Sequence, residues 1–394
     1  MKNIIFSILV FGLMTIACNK TIEKTYPLEV STIDNIMHVG NPQFPKSGIT
    51  KYVLKEELSI GNETDDNYLF SKVRKIVVDN QGNIYVPDSS RCRVQVFDAN
   101  GKYLRTIGKK GEGPGEQRFI LDMITDDDNK KIHILDSRNR KISRYHFDGS
   151  FDSDIKLHEG SPEKIFPAQN GSYIVLYSYQ DDNQETNFKL IKYADDGMIE
   201  MQINDFISTI NRTKHKGGMV VTFKTHFDPK NYFLCDTQGN LYYGFSQTYE
   251  IAIYDKEFNK AMVIKRNVPI REAISEKEKD EVRSTLKEQA RKKGVEIQSN
   301  MIKFPRYHPV FSGIWLDDKG RILVHTYSND DKVHLDVFNN GGIYIDKMII
   351  DAPGDGTSLG WIFYCPVFKH GYIYSVVQNS DGILVIKKYS LKKI

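Results

Sequence analysis

The chain has 394 residues, a net charge of +3 and no block rich in Lys or Arg, so nothing in its charge balance points to nucleic acid. With 40% hydrophobic and 27% charged residues it can bury a large core, and 22 Tyr and 21 Phe against 2 Trp favour a β-rich fold. Four cysteines without a CxxC pair argue against both a disulfide framework and a zinc site.

The first 17 residues read as a targeting segment. Lys2 is followed by an apolar run from Ile4 to Ile16, too short to span a membrane as a helix. Thr15-Ile16-Ala17-Cys18 resembles a bacterial lipoprotein cleavage box, with Thr15 where Leu is usual, and implies lipidation at Cys18. A multiply acylated Cys18 would hold the protein on a membrane. Residues 18–48 contain Pro27, Pro42 and Pro45 and little periodicity, and are expected to be a tether with at most one short strand near Leu28. Ile49 to Ile60 alternates as a strand does.

From Lys75 onward the chain repeats itself. Asp79-Asn-Gln-Gly82 precedes the apolar run Ile84-Tyr85-Val86, and Asp98-Ala-Asn-Gly101 follows the run ending at Phe97. Asp and Asn cap such turns with their side chains, and Gly accepts the positive φ they need. Five more turn-plus-strand anchors follow at Asn129, Gly171, Gly239, Gly320 and Gly371. Each of the six is followed by a run ending in an aromatic: Phe97, Tyr145, Tyr193, Tyr254, Phe338 and Tyr389. Five units then add a fourth strand. The sixth stops at Ile394 without one, and an open edge must be filled. The spare strand at 49–60 can fill it. The expected fold is therefore all-β: a six-bladed β-propeller of four-stranded antiparallel blades over residues 49–394, closed by an N-terminal strand. The alternative is a seventh blade hidden in Phe206 to Phe227.

The run Asp79-xx-Gly82-Asn83-Ile84-Tyr85-Val86, with Asp88-Ser89, Arg93 to Phe97 and the glycines at 108, 111, 113 and 115, is similar to an NHL-type repeat. The whole chain resembles the six-bladed β-propeller lipoproteins of Bacteroides-type bacteria. That resemblance implies a cell-envelope protein anchored to the outer membrane. It specifies a fold better than a function.

One insertion, residues 267–310, is expected to be helical over 276–293. Ser275 and Glu278 make a capping box, Gly294 ends the run, and Val282, Leu286 and Ala290 form a narrow apolar stripe suited to a surface helix. In an up-and-down blade, the turns after strands one and three share one face. The turn after strand two and the crossing to the next blade share the other. The first set is short here. The second holds 109–118, 178–187, 205–230, 267–310 and 351–360, so any partner is expected on that loop-rich face.

Two candidate patches lie in those loops. Phe304-Pro-Arg-Tyr-His-Pro-Val310 offers Arg306, Tyr307 and His308, against the alternative that loop aromatics pack down on the ring. Arg212, Lys214 and His215 could receive an anionic ligand such as an acidic sugar, although most such clusters are solvated loops. Asp88 to Arg93 and Asp136 to Lys141 recur at equivalent places, which favours a structural ion pair or turn cap inside each blade over a single active site. No HExxH, GxSxG or clustered ligand spacing appears, so no catalytic residue, metal or cofactor is assigned. The resulting reading is a non-catalytic envelope lipoprotein that binds a protein or glycan. The alternative is a metal-dependent propeller enzyme of lactonase, lyase or hydrolase type acting on a carbohydrate-derived substrate.

Overall fold

In the computed structural model of the chain, the described residues are 27–394 except 182–185, 205, 207–212, 215–219, 222–224, 268–270, 293, 295, 329 and 355–356. They form an all-β protein built from successive antiparallel meanders. The first three are separate four-stranded sheets over 77–107, 120–156 and 161–203. The fourth comprises Asn231–Cys235, Leu241–Phe245, Glu250–Tyr254 and Lys260–Arg266. The fifth runs from Gly313–Leu316 to Tyr344–Asp351, and the sixth contributes Val367–Lys369, Tyr372–Gln378 and Leu384–Lys393.

The sixth meander lacks its fourth strand, and Ile49–Ile60 supplies it. This strand runs antiparallel to Leu384–Lys393, from Tyr52 opposite Lys393 to Ile60 opposite Ile386. Its first residues also pair in parallel with the fifth meander, Lys347 with Ile49 through Asp351 with Val53. The fifth and sixth meanders thereby become one eight-stranded sheet.

Residues 29–41 differ from the expected tether. Glu29–Ile33 and Ile36–Asn41 form a hairpin, and the second of these strands pairs in parallel with Lys260–Arg266, widening the fourth sheet to six strands. Asn41 fixes the junction. Its Nδ2 donates to the Gly342 carbonyl at 2.8 Å, and its Oδ1 accepts the Tyr344 N–H at 2.7 Å. A parallel pairing to a distant outer strand has no local sequence signature, and the flanking prolines masked it.

Six hydrophobic cores lie between consecutive sheets. Tyr85, Val94 and Ile107 of the first sheet meet Ile120, Met123 and Ile134 of the second. Further cores join second to third, third to fourth, fourth to fifth and fifth to sixth. The last joins Tyr374 and Ile386 to Phe70, Ile84 and Phe97, so the succession returns to its start. The leading strands of successive sheets also touch: Val367–Lys369 meets Val77–Val78, which meets Ile120–Asp126, then Ser161–Pro167, Asn231–Cys235 and Gly313–Leu316.

The two ends of the sheets differ. At one end, Asp79 Oδ1 accepts the N–H groups of Gln81 and Asn83, and Asp98, Asp236, Asp255 and Asp317 repeat that turn. At the other end lie the long connections, including the helix α1 (Glu276–Lys292) and a one-turn helix α2 (Leu359–Ile362). In the stretch that could have hidden a seventh blade, the only strand pairing among the described residues is that of Thr213–Lys214 with Val220–Val221.

Candidate functional site

The loop-rich end is built on buried carboxylates. Asp88, fully buried, accepts the N–H groups of Ser71, Lys72, Ser90 and Arg91. Asp136, equally buried, accepts those of Arg118, Phe119, Arg138 and Asn139. Each carboxylate ties the incoming crossing to the turn between the second and third strands of its own sheet. This is the geometry of a repeated structural cap. Ser246 does the same work in the fourth sheet, where its Oγ accepts the Lys230 N–H at 2.9 Å.

α1 begins with the expected capping box: Ser275 N–H donates to Glu278 Oε2 at 2.8 Å, and Glu278 N–H donates to Ser275 Oγ at 3.3 Å. Glu278 also anchors its surroundings. His308 Nε2 lies 3.2 Å from its Oε1, and the imidazole stacks on Tyr327 with ring centres 3.8 Å apart. Burial would raise the Glu278 pKa, but the Ser275 hydroxyl and N–H outweigh it and hold the carboxyl below its usual range. Burial lowers the His308 pKa, against the pull of Glu278.

Of the patch expected at 306–308, His308 is therefore buried and engaged in fastening α1. Tyr307 is half-buried, with the guanidinium groups of Arg271 and Arg306 at 5.3 and 5.1 Å from its ring centre. Only Arg306 is exposed. Loop aromatics packing down on the sheets describe this segment better than an open patch does. Cys18, Arg212 and His215 lie outside the described residues, and Lys214 enters only through its backbone pairing with Val220.

The apolar stripe of α1 divides. Ala290 is buried, whereas Val282 and Leu286 are half-buried and face a cleft of about 540 Å³. His226 and Phe227 form the opposite wall, and Glu281 and Gln289 sit at its edge. The cleft was not legible in the sequence, because its two walls come from different crossings, one before and one after the fourth meander. Among the described residues no three His, Cys, Asp or Glu side chains gather as metal ligands would. Nor, among them, is any helix long and apolar enough to cross a membrane. Cys92, Cys235 and Cys365 are free thiols whose pKa values burial raises.

These features define a class: an all-β chain of serial antiparallel meanders with one decorated end. More narrowly, residues 63–352 match the family model described as a domain of unknown function, DUF4934, and the chain belongs to that family. A protein of Bacteroides fragilis described as exported is similar in structure at 14% identity and a TM-score of 0.52, over 88% of this chain and 100% of that one. A DUF4221 family member from Bacteroides vulgatus aligns at 10% identity and a TM-score of 0.50, over 86% and 98%. A virginiamycin B lyase from Staphylococcus aureus aligns at 12% identity and a TM-score of 0.42, over 86% and 88%. No curated protein matches the chain.

Proposed function

We propose that the six meanders are the blades of a closed six-bladed β-propeller, held at the cell envelope through a lipidated Cys18, whose loop-rich end binds a protein or glycan partner. The NHL-type likeness of the first units fits this reading. The observation that carries it is the half-exposed apolar wall of Val282 and Leu286 facing Phe227 across an open cleft at the end where all the long connections lie. A helix that merely decorated the ring would bury that stripe. Convex scaffolds with short, self-capped turns at one end and elaborated loops at the other concentrate recognition in the loops.

Site-specific photo-crosslinking tests this. A photoreactive residue at Gln289, on the cleft edge, is expected to capture a partner in intact cells. The same residue at Lys319, in an exposed short turn at the opposite end, is expected to capture none. Capture from neither position, or equally from both, contradicts the reading.

A further inference from the structure

The junction of the first and second sheets carries a second, chemically different feature. Phe119 is half-buried at the loop-rich end, and three exposed cations surround its ring: Lys72 Nζ at 5.4 Å, Arg74 Cζ at 5.6 Å and Arg138 Cζ at 5.3 Å from the ring centre. No two of these charges can lie more than about 11 Å apart. Like charges this close repel. The ring face offsets part of that, at about 0.5–1 kcal/mol per exposed cation. The backbone holds the rest in place, because Asp88 binds the N–H of Lys72 while Asp136 binds those of Phe119 and Arg138.

Among the described residues, none of the three cations forms an ion pair. The neighbouring cations do: Lys75 with Asp122 at 2.9 Å, and Arg118 with Glu112 at 3.1 Å. The carboxylates of Asp88 and Asp136 lie beneath the surface, fully buried, with their oxygens occupied by backbone N–H groups. The positive charge is thus concentrated, pre-positioned and, among the described residues, without an ion-pair partner of its own. Two guanidinium forks and an ammonium suit oxyanions that accept several charge-assisted hydrogen bonds at once. The cluster is compact. A long polyanion would be met by an extended stripe of charge, and a single monovalent anion would leave two cations unneutralised.

We propose that Lys72, Arg74 and Arg138, arrayed on Phe119, form a binding site for a small polyvalent oxyanion of the tricarboxylate or diphosphate class. The site is separate from the cleft beside α1 and does not depend on a partner there.

Calorimetric titration of the purified protein with citrate, with pyrophosphate and with acetate at the same ionic strength tests the assignment. Citrate or pyrophosphate is expected to bind at least on the order of tenfold more tightly than acetate, and the better of the two identifies the carboxylate or phosphate class. The double variant Arg74→Gln/Arg138→Gln is expected to lose on the order of tenfold in that affinity, and Lys72→Gln, which leaves both guanidinium groups in place, a smaller part of it. Unchanged circular dichroism and Tm establish that the variants fold. Polyvalent probes that bind no better than acetate, or variants that bind as the parent does, overturn the proposal. So does tight binding confined to a sulfated polysaccharide.

Discussion

Single residues carry much of the cohesion between sheets. Asp336 is fully buried at the junction of the fourth and fifth meanders, where it accepts from Tyr249 at 2.6 Å, Arg266 at 2.6 Å and Tyr344 at 2.8 Å. Arg266 also lies 4.7 Å from the Tyr344 ring centre and donates to the Gln43 carbonyl at 2.9 Å. Removing one partner of such a buried pair leaves the other uncompensated. Asp336→Asn is expected to lose about 3–5 kcal/mol in urea unfolding. His133 offers a pH-dependent counterpart. It is buried, neither ring nitrogen has a hydrogen-bond partner among the described residues, and burial first, then Arg144, lowers its pKa to about 4. His325 is likewise lowered to about 4, by burial and by His334. The unfolded chain binds protons at these positions below pH ~6.5 and the folded chain does not, so stability is complete above that pH and falls as pH drops towards ~4. For His133 the loss is on the order of 2–3 kcal/mol. Urea midpoints measured from pH 7 to 4 are expected to fall, and His133→Phe to flatten the curve. An unchanged midpoint across this range would contradict the burial of the His133 imidazole in its neutral form.

At the scale of elements, what the sequence made legible and what it hid divide along one line. Features written in neighbouring residues could be read: the Asp-x-x-Gly turns, the Ser275–Glu278 capping box and the alternation at 49–60, the strand that takes the fourth place in the sixth unit. Features made by residues far apart could not. The hairpin at 29–41 depends on Asn41 reaching Gly342 and Tyr344. The burial of His308 depends on Glu278 and Tyr327, and the cation cluster depends on two aspartates bringing residues 72, 119 and 138 together. Each hidden feature has its own test. Asn41→Ala is expected to release the 29–41 hairpin, so that limited proteolysis cuts within it sooner while the global unfolding midpoint shifts by no more than about 1 kcal/mol. Ser275→Ala is expected to cost about 1 kcal/mol of helix stability, seen as faster amide exchange over 276–292. Exchange confined to the rest of the chain would detach the cap from the helix.

For the whole molecule, one geometry underlies the remaining claims. Six cores in succession, the last returning to the first sheet, leave no edge strand at the join provided that Ile49–Ile60 lies against Leu384–Lys393. In the proposed closed ring, the self-capped turns lie at one end and the cleft and the cation cluster at the other. The most direct test is a disulfide between the two ends of the chain. Lys55 lies opposite Ser390, and the variant Lys55→Cys/Ser390→Cys is made in a soluble form beginning at residue 27. The expected result is a cross-link formed within one molecule that raises stability, by at most about 6 kcal/mol in the chain-entropy limit for so long a loop. A pair that stays reduced, or that links only separate molecules, would contradict closure of the ring by its own first long strand.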